Sequence, residues 1–248
     1  MSQLASDYLR QVVGLLERVA DEEAEALATA AGLMADAVED GRQLFAFGCT
    51  HSALPVQDIV YRAGGLMLIN PLLGPGITSV DRPPATLSSA MEKLEGYAEA
   101  LLDNSPVESG DVLIVVSVSG RNAVPIEMAQ LAGQRGVTVI GVTSRAYSDA
   151  VVSRHASGKK LADLAHVVLD NKVDKGDAVL QSEGVPQRFA PASGVTSTAL
   201  LQALVAASIE ELVRRGTTPP VFLAANVDGG AEYNARLFAE HRDRIHYL

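Results

Sequence analysis

Residues 111–135 read DVLIVVSVSGRNAVPIEMAQLAGQR. The stretch opens on Val112–Val116, a short valine-rich run of the kind buried on both faces of a parallel sheet. Ser117, Val118, Ser119, Gly120, Arg121 and Asn122 follow, and then Val124, Met128 and Leu131 recur at helical spacing. The order is therefore strand, hydroxyl-rich turn, helix. Such a turn aims backbone N–H groups and short hydroxyls at one spot, at the positive end of a helix, and that spot suits a phosphate. Gly120 lets the backbone approach a ligand without a side chain in the way. The plainer reading is an ordinary helix cap, since Ser and Asn are common caps. Two hydroxyls flanking one residue, then glycine, then Asn122, is more than a cap requires.

Working outward, the same plan recurs upstream. Leu44–Phe47 is an apolar run that passes into Gly48-Cys49-Thr50-His51-Ser52 and then an apolar helix reaching Tyr61. Two such turns on adjacent parallel strands can face one pocket at the carboxyl edge of a sheet. Further strands are expected at Leu66–Ile69, Val137–Val142 and His166–Leu169. Helices are expected at Leu87–Leu102, at a strongly apolar Thr196–Arg215, and at the polar end of Asn226–Leu237. Residues 4–39 read as one long helix or two in sequence, with Leu4, Tyr8, Val12, Leu15 and Val19 on one stripe and a glycine stop at Asp40-Gly41. That stripe needs cover from the sheet or from a second subunit. Asn70–Pro84, rich in proline and glycine, is a loop long enough to wall a site. Strands alternating with helices make the class α/β, a doubly wound, five-stranded parallel sheet flanked by helices.

Composition narrows the partners. With 248 residues, 48% of them apolar and 20% charged, the chain can bury a sizeable core, and one domain over residues 1–248 with a helical segment over about 1–40 is expected. A net charge of −10 without a basic stripe argues against nucleic acid. It also means that a bound phosphate must be held by local dipoles against the field of the whole protein. Cys49 is the sole cysteine, so no internal disulfide forms, which favours a reducing compartment. The start, MSQLASDYLR, has no signal-peptide pattern, and Ala199–Ile209 is too short to span a bilayer; the expectation is a cytoplasmic protein that does not engage a membrane. There is no Gly-x-Gly-x-x-Gly after a strand, no Walker-type loop and no Cys-x-x-Cys pair, so no cofactor is expected, and the scattered histidines give no metal-ligand spacing.

Ser117-Val118-Ser119-Gly120-Arg121-Asn122 resembles the phosphosugar-binding turn of the sugar isomerase (SIS) domain family, which usually reads Ser-x-Ser-Gly-x-Ser/Thr. Asn122 stands at the last place, where an amide can still donate to an oxyanion. Gly48-Cys49-Thr50-His51-Ser52 is similar to the Gly-x-Gly-His-Ser of a bacterial subgroup of stand-alone SIS proteins, with Thr50 in place of glycine. Tyr61-Arg62-Ala63-Gly64-Gly65, Leu94-Glu95-Gly96-Tyr97, Asp170-Asn171 with Gly176-Asp177, and Pro219-Pro220-Val221-Phe222 with Asn226 and Asn234 extend the resemblance over nearly the whole chain. It implies a flavodoxin-like three-layer sandwich. It also implies a sugar phosphate held at Ser117, Ser119, Gly120 and Asn122, with the sugar against Gly48, Thr50 and Ser52, in a homodimer or larger assembly.

Fold alone does not settle chemistry, because SIS domains include isomerases, lyases and sugar-phosphate sensors. Aldose–ketose isomerisation needs a base between two adjacent carbons and a group that helps open the ring. Glu92 is the first candidate for the base, preferred over Glu95 because Leu94 beside it is expected to face the core. For either glutamate the plain alternative is a solvated helix face. His51 can open the ring or simply wall the pocket. Glu183 can come from a loop near the same edge but reads more plainly as a surface loop; Asp177 with Asn171 can bind sugar hydroxyls or fasten a loop, the second being favoured; Cys49 reads as a small buried residue near the pocket. The expected function is an isomerase acting on a sugar phosphate, possible variants being amino- or acetamido-sugar phosphates. The alternatives are a non-catalytic sensor that regulates a partner protein and a sugar-phosphate lyase.

Overall fold

Five short runs become strands, four of them because they are buried and rich in β-branched or aromatic residues, while the three-residue β2 is held by its pairing with β1. They are β1 (Leu44–Gly48), β2 (Ile69–Pro71), β3 (Val112–Val116), β4 (Thr138–Thr143) and β5 (Val167–Asp170). All pair in parallel in the order β2-β1-β3-β4-β5. The structure, a computed structural model, describes residues 2–78 and 83–248. The helices are α1 (Gln3–Glu22), α2 (Ala24–Glu39), α3 (Ala53–Asp58), α4 (Ala85–Met91), α5 (Tyr97–Asp103), α6 (Ala123–Gln134), α7 (Arg145–Asp149), α8 (Ser193–Arg214) and α9 (Gly230–Glu240). An antiparallel hairpin, β6 (Leu180–Ser182) with β7 (Val185–Phe189), lies between β5 and α8.

The side-chain period of two divides each strand between two cores. Leu44, Ala46, Val112, Ile114 and Val116 face α2, α3 and α8. Phe45, Phe47, Leu113 and Val115 face α5 and α6. This is a doubly wound three-layer sandwich, as the strand–helix alternation implies. The strand order turns back between β1 and β3, and that point opens a crevice at the carboxyl ends of the strands. Helix α8 is long and apolar enough to pass a length-and-hydropathy test for a membrane span. Its Leu200, Leu201, Leu204, Val205 and Leu212 are nevertheless buried in the first of these cores.

The helical N-terminal segment breaks in two at Glu23, for an electrostatic reason. Glu23 is 5% exposed. Its carboxylate accepts from the Asp170 N–H at 3.0 Å and from Lys172 Nζ at 2.5 Å. Lys172 also lies 3.0 Å from Glu22 and 3.3 Å from Asp170. Burial works against the charge on Lys172, but hydrogen bonds to Glu23 and Glu22 hold its pKa above the ordinary lysine value. The elbow between α1 and α2 is thereby clamped to the end of β5. At the far end of α2, Arg215 reaches Asp36 and Glu39.

Three expectations need correction. Residues 87–102 do not form one helix: α4 ends at Met91, Gly96 takes a left-handed φ of 87°, and α5 starts afresh at Tyr97. Leu94, expected to face the core, is 55% exposed. The strand expected at Leu66–Ile69 starts later, at Ile69, and Leu66 instead bridges antiparallel to Val221. Of the 70–84 loop, residues 79–82 lie outside the described residues; Thr78 bridges in parallel to Thr50.

Ile114 is fully buried at the centre of the sheet. Ile114→Ala is expected to cost about 2–5 kcal/mol in urea unfolding. Leu87→Ala, at a half-exposed position, is expected to change stability by less than about 0.5 kcal/mol.

Candidate functional site

The turn after β1 is shaped by close backbone approach. A Cβ on Gly48 would lie 2.2 Å from the Ser52 carbonyl oxygen, so only glycine fits there. Thr50 sits at φ 50°, a left-handed conformation that strains a β-branched residue by roughly 1–2 kcal/mol. Its N–H donates to the Ile77 carbonyl at 2.6 Å, which holds it in place. Glycine would adopt this conformation without strain.

The turn after β3 is pinned from behind. Gly120, at φ +60°, donates its N–H to the Ser117 carbonyl, and its own carbonyl accepts from Leu161 N–H. Thr143 Oγ1 donates to the Val118 carbonyl at 3.1 Å, and Ser144 N–H donates to the same oxygen at 2.9 Å. These bonds consume the backbone on the sheet side. Among the described residues no protein group hydrogen-bonds the hydroxyls of Ser117 and Ser119. Asn122 precedes α6 in extended conformation without a side-chain cap. Its amide oxygen instead accepts from Arg154 Nη1 at 3.0 Å.

Between the two turns stands Glu92. Its carbonyl accepts from Val124 N–H in the first turn of α6 at 3.1 Å, so the main chain that breaks α4 from α5 docks on the start of α6. Glu127, one turn further along α6, accepts from Gly96 N–H at 2.8 Å and Ala98 N–H at 3.1 Å. The segment that carries Glu92 is stapled at both ends. Burial pushes the Glu92 carboxyl above the ordinary carboxylate range, and the Asn122 amide, Lys93 and Arg154 pull it partly back. Cys49 is buried, and burial together with the nearby Glu92 charge pushes its thiol well up, so it stays protonated at neutral pH.

Thr50, His51, Ser52, Glu92, Ser117, Ser119 and Asn122 line one cavity of about 590 Å³ at the carboxyl edge of β1 and β3. Gly48 and Gly120, expected at the ligand, are not among the residues lining the cavity; they shape the two turns that do. Glu95 is turned away and accepts from Ala156 N–H at 2.9 Å. Glu183 is exposed in the turn of the hairpin.

A third wall includes residues that the sequence does not single out, apart from Asp177. It comprises Tyr147 on α7, Asp177, and Ser193, Gly194 and Ser197 at the start of α8. The Asp177 carboxylate accepts from Ala192 N–H at 3.1 Å and from Ser193 N–H at 2.8 Å, and it also accepts from the Ser193 hydroxyl. Asn171 Nδ2 donates to Ser197 Oγ at 3.0 Å. Asp177 and Asn171 are thus loop fasteners that also position a pocket wall. A signal was present, since Ser193-Gly194 opening a helix resembles the Ser119-Gly120 ahead of α6, but the strand before it, β7, belongs to the hairpin and not to the parallel sheet.

With this geometry in place, a profile of the SIS domain matches residues 7–144. The chain belongs to the SIS domain family. Over nearly its whole length it also belongs with the UPF0309 proteins. One from Streptomyces griseus is 52% identical over 246 residues, which is 99% of this chain and 98% of that one. One from Shouchella clausii is 42% identical over 97% of this chain and 98% of its own. Among solved structures, the phosphoheptose isomerase of Neisseria gonorrhoeae superposes with a TM-score of 0.57 at 18% identity, over 84% of this chain and 98% of that one. A phosphoheptose isomerase from Francisella tularensis gives 0.53 at 15%, over 85% and 100%. At these identities the structures share the fold with this SIS domain.

Because the folded pKa of Glu92 is raised, this SIS domain loses stability from that group as pH climbs from the ordinary carboxylate value through the raised one. Glu92→Gln is therefore expected to raise Tm at pH 7–8, with the gain vanishing by about pH 3, where the wild-type carboxyl is protonated in both states. Thermal unfolding across this pH range checks it; an equal gain at both ends would contradict the buried charge.

Proposed function

We propose that this SIS domain binds a sugar phosphate in the cavity between β1, β3 and α8 and isomerises it between aldose and ketose forms. The observation that carries this reading is the convergence of two strand–turn–helix elements and one half-buried carboxylate on a single cavity. The phosphate lies against the Ser117 and Ser119 hydroxyls, the Asn122 amide and the start of α6, where the helix dipole meets its charge and Arg154 stands behind the Asn122 amide. The sugar meets Thr50, His51 and Ser52.

Glu92 is the base. In its carboxylate form it takes the proton from the carbon next to the carbonyl, and the resulting acid returns it to the neighbouring carbon. A raised pKa brings a carboxyl nearer to the acidity at which both steps run at neutral pH. His51 assists ring opening. Binding of a sugar phosphate is supported by the family and by the phosphoheptose isomerases that share the fold. The reading includes a single domain, a homo-oligomer that covers exposed Leu9 and Val13 on α1, and a cytoplasmic location.

A second reading keeps the binding and drops the chemistry, so that the domain senses its ligand for a partner. One observation favours it: the His51 side chain is exposed, and no hydrogen bond among the described residues orients it.

The test is thermal unfolding against hexose, heptose, amino-sugar and acetamido-sugar phosphates with unphosphorylated controls, followed by a turnover assay on whatever binds. A ligand at a hundred times its Kd stabilises by about 2.7 kcal/mol. Ser119→Ala is expected to remove the shift, and Glu92→Gln to keep the shift while cutting turnover at least a hundredfold. Binding without turnover in the wild type selects the sensor. No shift with any phosphosugar overturns both readings.

A further inference from the structure

A second cavity lies on the other side of the segment that walls the first. It measures about 380 Å³ and runs between α1 and the β6–β7 hairpin. Arg10, Arg18 and Arg188 line it, against a single carboxylate, Asp174. In a chain of net charge −10 this gathering of guanidinium groups is unusual. Their partners are few. Arg18 reaches Glu22 at 3.4 Å on the open surface, Arg188 donates to the Val179 carbonyl at 3.3 Å, and Arg10 has no acid partner among the described residues. Like charges drawn to one groove repel until an anion sits among them, and guanidinium groups match the oxygens of a phosphoryl group two at a time.

The floor of the groove points the same way. Arg10, Gly14 and Arg18 stand at i, i+4 and i+8, on one face of α1. A glycine in mid-helix weakens the helix relative to alanine. A Cβ on Gly14 would meet nothing within 4 Å, so packing does not require the glycine. It leaves open floor between two arginines.

The groove is also tied to the first cavity. Beneath it, Val12, Leu15 and Val179 pack with Ala192 and with Val118, the residue between Ser117 and Ser119. Tyr8 on α1 donates its hydroxyl to the Pro191 carbonyl at 3.0 Å, and Pro191 lines the first cavity. Asp177, which fastens the start of α8, lies between the groove residues Asp174 and Val179.

We propose that this groove is a second binding site, for the phosphoryl group of a small molecule, and that its occupancy braces residues 174–193 and thereby the wall of the first cavity. A bound phosphoryl group draws Arg188 toward Arg10 and Arg18, tightens the hairpin on α1, and restrains Val118 and Pro191 through their shared packing. The effect on the two sites is reciprocal.

The experiment uses the full chain carrying Ser117→Ala and Ser119→Ala, so that the first site cannot account for binding. Inorganic phosphate and glucose 6-phosphate are titrated calorimetrically at constant ionic strength held with sodium chloride, and amide exchange is followed with and without ligand. Binding of either probe is expected, with slowed exchange in residues 8–18 and 177–193. Equal affinity for both probes assigns the site to free phosphate, and tenfold tighter binding of the ester assigns it to a phosphorylated metabolite; both support the proposal. Adding R10Q with R188Q, or Gly14→Leu, which fills the floor without removing a contact, is expected to weaken binding at least tenfold. Unchanged affinity in both, or no binding in the Ser117→Ala/Ser119→Ala protein, overturns the site. A fall in sedimenting mass in R10Q/R188Q also overturns it, because the groove is then a contact between protein chains.

Discussion

The parallel pairing of β1 with β3 is the constraint on which the rest depends. Its register sets Leu44 opposite Val112 and Gly48 opposite Val116. Both strands therefore end at the same level, and both chains leave the sheet side by side into turns that lead to helices. Neither strand can slip by one residue, because a shift of one would carry Phe45 and Phe47 into the core that holds Leu44 and Ala46. The convergence of Thr50, Ser52, Ser117 and Ser119 is a consequence of hydrophobic register, and it needs no bond between the turns themselves.

What register does not supply is the placing of Glu92 and of the α8 wall. Both are set by polar bonds between segments distant in sequence. Glu127 and the N–H of Val124 hold the broken segment between α4 and α5. Asp177 and Asn171 hold the start of α8. A half-buried carboxylate is costly unless something fixes its surroundings. These staples fix them, and they leave the Glu92 carboxyl desolvated enough for its pKa to rise. Strain at Thr50 belongs with this pattern: stability is given up at the cavity and recovered in two dense cores.

The Lys172 cluster does similar work at the carboxyl end of the edge strand β5. Three carboxylates around one buried ammonium join the α1–α2 elbow to β5. From there the chain runs into the hairpin that α1 packs against, so the clamp sets the distance between α1 and residues 174–193. The α1 face, the hairpin and the first cavity are thus parts of one connected structure.

The amino-acid sequence by itself determined the class of fold, four of the five strands to within a residue or so, and the two turns with their hydroxyls. Those features follow from local signals: short valine-rich runs, glycine where a Cβ would clash at Gly48, and helical spacing in Val124, Met128 and Leu131. Glu92, expected from the sequence as the base, lines the cavity, but the ground for preferring it fails, since Leu94 faces solvent and α4 ends at Met91. The break, the β6–β7 hairpin and the role of Ser193–Ser197 were decided only by the tertiary structure. Each is fixed by hydrogen bonds from residues far along the chain, at Glu127 for the break and at Asp177 and Asn171 for the wall, and sequence spacing carries no record of which distant donors and acceptors will meet.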